Sequence, residues 1–94
     1  MNNAKLIAKE EIHKLKFVSY EVLDNVADRT HRRTQIEKAM ILGNSEKGKT
    51  KIDFMSEEGL CEVETTVWSA SDDMITLKGG VMIPVHCIQQ VELI

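Results

Sequence analysis

Thr50-Lys51-Ile52-Asp53-Phe54-Met55, Leu60-Cys61-Glu62-Val63-Glu64-Thr65-Thr66-Val67-Trp68, Met74-Ile75-Thr76-Leu77-Lys78 and Val81 to Ile94 make up the stretch that decides the fold. Apolar and polar residues alternate in each piece, the period of a half-buried strand. Ile52 and Phe54 are expected on one face, with Lys51, Asp53 and Met55 on the other. Cys61, Val63, Thr65 and Val67 should face the core, opposite Glu62, Glu64, Thr66 and Trp68. Ser56-Glu57-Glu58-Gly59 and Gly79-Gly80 are hairpin turns with glycines suited to positive φ. Ser69 to Asp73 is a further turn. Pro84 cannot donate to a ladder and marks an edge or a break. The pattern predicts a small, strongly bent antiparallel β-barrel over 49–94.

Upstream of the strands the pattern becomes helical. Ile7, Ala8, Ile12 and Leu15 share a face, which predicts a helix over 4–16. Residues 17–28 read either as strand, from Phe17-Val18-Ser19-Tyr20, or as helix, from Val22, Leu23 and Val26; the spacing favours helix. Residues 29–42 form a further helix with Ile36, Ala39 and Met40 on its apolar stripe. Gly43-Asn44 follows where a left-handed cap belongs. Thr34-Gln35-Ile36-Glu37 fits a capping box, or lies inside a longer helix. The expected class is therefore α+β: one domain over 1–94, with a helical arm at 1–43 and a β-barrel at 49–94.

The 94 residues carry a net charge of −3, spread unevenly. Residues 1–51 hold eleven Lys/Arg against seven Asp/Glu, a balance of +4, and residues 52–94 hold Lys78 alone against eight acids, a balance of −7. Such a split suits a basic arm that meets an acidic partner, or an acidic barrel partly neutralised by its own arm. An acidic barrel is a poor general surface for nucleic acid, because phosphate contacts supply most non-specific affinity. No apolar run approaches the ~20 residues of a membrane span. Met1 to Lys5 lack the apolar stretch of a secretion signal. With two cysteines, this points to the cytoplasm and to free thiols at Cys61 and Cys87.

Gly43-Asn44-Ser45-Glu46-Lys47-Gly48-Lys49-Thr50 satisfies the phosphate-cradling pattern G-x-x-x-x-G-K-T. That pattern needs a strand before it and a helix after it. A helix precedes it here and a strand follows, so no nucleotide is expected. The histidines and cysteines show no metal-ligand spacing, and no metal or cofactor is expected. His86 and Cys87 are adjacent and would point to opposite faces of a strand, which separates a nucleophile from its base. Glu57-Glu58 and Asp72-Asp73 are turn residues without a pocket. The chain therefore reads as a non-enzyme.

Val81-Met82-Ile83-Pro84-Val85-His86-Cys87-Ile88-Gln89-Gln90-Val91 resembles the second motif of Sm-like proteins. It is closer to the corresponding segment of the bacterial Sm-type RNA chaperone, with His86, Ile88 and Val91 at the matching His, Ile and Val positions. Val85 and Pro84 stand where that segment has a basic and an aromatic residue. The Arg-Gly of the other Sm-like second motifs is absent. In the first motif the base-contacting Asp and Asn would fall near Ala70 and Met74, and neither matches. The resemblance implies a small barrel and an oligomeric ring. Val63 to Trp68, with the Ile-Pro ending, also resembles small bacterial cytosolic proteins of no assigned activity.

Two functions are therefore expected. The first is a protein-interaction or regulatory module with a protein partner or a second copy of itself. The alternative is an Sm-like RNA-binding protein, whose candidate RNA-binding residues are Arg29, Arg32, Arg33 and His86. The arginines equally suit ion pairing with Glu37 or Asp28 on a solvated helix face. Trp68 is the candidate interface residue, a large aromatic on the polar face of its strand. It needs cover from the helices or from another subunit.

Overall fold

The computed structural model describes residues 4–46 and 48–94. The alternation over 50–94 gives six strands: β2 Thr50–Ser56, β3 Gly59–Thr65, β4 Val67–Ala70, β5 Met74–Leu77, β6 Met82–Pro84 and β7 Ile88–Leu93. A two-residue strand, β1 Lys5–Leu6, precedes them. The one α-helix among the described residues, α1, spans Val26–Glu46.

These strands do not close into a barrel. They form a four-stranded sheet in the order β1-β3-β2-β7 and a three-stranded sheet in the order β4-β5-β6. β2 and β3 form an antiparallel hairpin in which Ile52 faces Val63 and Phe54 faces Cys61. β7 pairs antiparallel on the other side of β2, and β1 pairs parallel to β3, so the larger sheet is mixed. The expected antiparallel barrel is overturned at Thr66. That residue leaves the ladder between β3 and β4, and its carbonyl accepts the Lys78 N–H at 2.8 Å. The chain passes from one sheet to the other at this break. The α+β class stands; the Sm-like barrel with N-terminal helices does not.

The hairpin turn follows its sequence. Gly59 adopts φ 125°, which a side chain would strain, and Ser56 Oγ accepts the Glu58 N–H at 3.2 Å. Between β6 and β7, Val85–Cys87 form one 3₁₀ turn that redirects the chain after Pro84. Ile52, Phe54, Ile75, Leu77, Ile83, Cys87 and Ile88 are fully buried between the sheets and the helix.

The N-terminal segment departs most from its pattern. No α-helix covers 4–16. Lys5–Leu6 lie along β3, and Ile7 donates its N–H to the Glu62 carbonyl at 2.8 Å. Lys9–Lys14 then form a 3₁₀ helix that buries Ile12. The apolar residues read as a helical face are anchors of an extended strap: the open edge of β3 takes the backbone hydrogen bonds that a helix would have kept internal. Residues 17–25 continue the strap rather than a helix. Phe17 bridges Ser56, and its ring meets Phe54 edge-on, with centroids 5.8 Å apart. Val22 donates to the His86 carbonyl at 2.9 Å.

α1 starts where Asn25 caps it, its Oδ1 accepting the Ala27 and Asp28 N–H groups at 2.7 and 3.3 Å. Its buried residues, Arg32, Ile36, Ala39 and Gly43, recur at i, i+4, i+7 and i+11, one stripe of the helix. This stripe packs on β4 and β7. The helix continues through Gly43 to Glu46, past the expected cap. Gly43 serves proximity: a Cβ there would collide with the Val67 carbonyl oxygen and the Thr66 methyl group. Thr34 to Glu37 lie inside the helix rather than at its start.

Candidate docking cleft around Trp68

β4 carries an irregularity at its start. Val67 pairs with Leu77 and Ser69 with Thr76, so Trp68 is the extra residue of a bulge. A bulge breaks the ladder and re-aims the side chain of the extra residue. The Trp68 indole stays 47% exposed, in contact with solvent beside the C-terminal part of α1. Neither the helix nor the strap covers it fully.

The indole borders a cleft of about 530 Å³. Thr65 and Thr66 line it at the break between the sheets, and Gly43 and Asn44 line it from α1. Three lysines from three distant segments meet there: Lys9 of the 3₁₀ helix, Lys49 ahead of β2 and Lys78 after β5. Glu64 is the one acid in the lining. Lys9 pairs with the neighbouring Glu10 at 2.7 Å, and this contact holds the exposed Glu10 carboxyl below the usual range. The stem of Lys9 lies over Gly79, at the turn that carries Lys78. Lys49 and Lys78 make no ion pair among the described residues. The cleft is therefore cationic in a molecule that is acidic overall.

The segment matching the phosphate-cradling pattern contributes Gly43, Asn44 and Lys49 to this cleft, while Lys47 lies outside the described residues. Gly43 to Glu46 belong to the helix, so their N–H groups point along its axis to carbonyls of the preceding turn. Thr50 is buried in β2. The order is helix then strand, the reverse of a phosphate loop.

The arginines expected as one RNA-facing patch are engaged inside the chain. Arg32 is 6% exposed. Its guanidinium grips both Glu21 carboxylate oxygens, each at 2.7 Å, and donates to the Ile88 carbonyl at 2.9 Å. That fork holds the Glu21 carboxyl below the usual range, helped by the Leu23 N–H. Arg29 donates to the Leu23 carbonyl at 2.8 Å, and Arg33 to the Ser71 and Asp72 carbonyls at 2.8 and 3.1 Å. The ring of His86 contacts the Val18 carbonyl through Nε2 at 2.7 Å. These four residues tie the strap, the helix and the strand ends together. Cys61 and Cys87 are buried and unpaired. Burial pushes the Cys87 thiol up to about 12.

The sequence flagged Trp68 but not the three lysines. One signal pointed to Lys78: it is the only basic residue of the acidic half. Glu21 carried no local signal, because its partner lies on another element.

In comparisons with known proteins, no family model, no curated protein and no solved structure matched this chain.

Proposed function

We propose that this chain is a cytoplasmic, non-enzymatic module that docks a partner protein at the Trp68 cleft. The observation that carries the reading is the half-exposed indole held by a bulge among three lysines. A rigid aromatic with a polar rim is the usual anchor of a protein interface. Two further features support it. The buried, unpaired thiols suit a reducing compartment, and the Cys87 thiol is too weak an acid to serve as a nucleophile. No helix of the described residues is long and apolar enough to cross a membrane.

RNA binding is the competing reading. It loses support because Arg32 is buried against Glu21, and Arg29 and Arg33 each turn one guanidinium nitrogen to the chain's own carbonyls. A photo-crosslinking amino acid in place of Trp68, activated in cells, tests the choice. The expected result is one discrete adduct that protease removes and nuclease does not. A nuclease-sensitive adduct would establish the RNA reading instead, and no adduct would overturn both.

A further inference from the structure

We infer that the Trp68 cleft is built for a short acidic segment, with carboxylates on Lys9, Lys49 and Lys78 and an apolar side chain against the indole. This inference rests on the proposed docking role and adds the chemistry of the partner. Three lines of observation carry it.

The first is local charge. Three lysines and one glutamate line the cleft, and Lys49 and Lys78 have no counter-ion among the described residues. Lys49 and Lys78 sit on exposed positions of separate segments, so the fold brings two unpaired ammonium groups to one cleft, beside a Lys9 already paired with Glu10. Bringing like charges together is unfavourable, and an incoming anion relieves it.

The second is the extent of that charge. The cationic area is small and bounded. Glu64 lines it, and β3 and the turn between β4 and β5 carry Glu62, Asp72 and Asp73 outside the lining. A nucleic-acid strand running on past the cleft along β3 or the turn between β4 and β5 would bring its phosphates to these acids. A segment with two or three carboxylates ends where the lysines end.

The third is the chemistry of the contact groups. The cations are lysines, point charges that accept carboxylates in many directions; among the described residues no arginine lines the cleft, and the Arg32 fork is occupied by Glu21. Trp68 is the only tryptophan of the chain, and no second aromatic lines the cleft on which a next base could stack. A volume of about 530 Å³ suits a few side chains rather than a helix face.

Because Trp68 is the sole tryptophan, its emission reports directly on the cleft. The purified full chain is titrated with a pool of short Asp/Glu-rich peptides bearing one central Leu. Parallel titrations use the same pool with Asn and Gln in place of the acids, and an oligouridylate. The acidic pool should shift the emission to the blue. Its affinity should fall about tenfold between ~50 and ~300 mM salt, and at least as much in the double variant Lys49→Glu, Lys78→Glu. The amide pool should leave the emission unchanged. Circular dichroism should show the double variant folded, since both side chains are exposed and without ion pairs.

No response to the acidic pool, equal response to the amide pool, or undiminished binding by the charge-reversed variant would each overturn the inference. Tighter binding of the oligouridylate would replace it with a nucleic-acid site. If the peptides fail while crosslinking at position 68 still captures a protein, the docking role stands and only the acidic chemistry falls.

Discussion

Arg32 and Glu21 show how much of the polar chemistry of this chain is structural. A buried guanidinium costs several kcal/mol in desolvation unless paired, and Arg32 meets that with a two-pronged carboxylate contact and a backbone carbonyl. Its Nε has no hydrogen-bond partner among the described residues, so the satisfaction is incomplete. Removing the counter-charge should therefore hurt. Glu21→Gln is expected to cost about 2–3 kcal/mol in urea denaturation, below the ~3–5 of a fully buried pair because Glu21 is one-third exposed. The pH dependence follows from the same contact. The carboxyl of Glu21 titrates lower in the folded chain than in the unfolded one, chiefly through the Arg32 hydrogen bonds. Its contribution is complete above the ordinary value near 4.5 and is lost as pH falls from there through the folded value. Thermal melts between pH ~5 and ~3 should fall more steeply for the parent chain than for Glu21→Gln. Parallel slopes would show that the pair contributes nothing to acid sensitivity.

At the scale of elements, α1 shows propensity and packing in conflict. Gly43 sits inside a helix, where alanine is favoured by about 1 kcal/mol. The added methyl would meet the backbone carbonyl of Val67, which cannot swing aside, and the Thr66 methyl. Overpacking of this kind costs about 1–3 kcal/mol, so Gly43→Ala should be net destabilising by up to about 2 kcal/mol. Ser45→Ala, on the exposed side, is the control, and chemical denaturation of both checks it. A stabilised Gly43→Ala would mean that the helix end can lift away from the bend at Thr66. The same contact explains why the cleft exists. The close approach of α1 to Thr66–Val67 sets Asn44 beside the bulge, and the bulge turns Trp68 toward solvent. The N-terminal strap is the opposite case: helical spacing at Ile7, Ile12 and Leu15 gave way to the pull of an unpaired edge on β3.

For the whole molecule, the consequence is a folded body with a half-covered indole at its cationic cleft. Truncating a fully buried tryptophan costs ~3–5 kcal/mol. Trp68→Ala should cost only about 1–2 kcal/mol, since close to half of the side chain is already in water. Equilibrium unfolding of the variant tests this, and a loss near 4 kcal/mol would show that the indole is core rather than contact surface. The sequence by itself determined what is local. Alternation at Ile52, Phe54, Cys61 and Val63 placed the strands and their inward faces, because a strand's side-chain period is a property of its backbone. The turns at Gly59 and Gly79-Gly80 followed from φ values that a side chain would strain. Trp68 stood out on the polar face of its strand for the same local reason. Tertiary structure alone decided the rest. It split the strands into two sheets at Thr66, turned residues 4–25 into a strap and carried α1 past its apparent cap. It committed Arg32, Arg33 and His86 to partners far along the chain and Arg29 to the Leu23 carbonyl six residues back, and it gathered Lys9, Lys49 and Lys78 around one indole. Each of these outcomes depends on which unpaired edge, carbonyl or charge lies nearby in space, and spacing along a chain does not encode that distance.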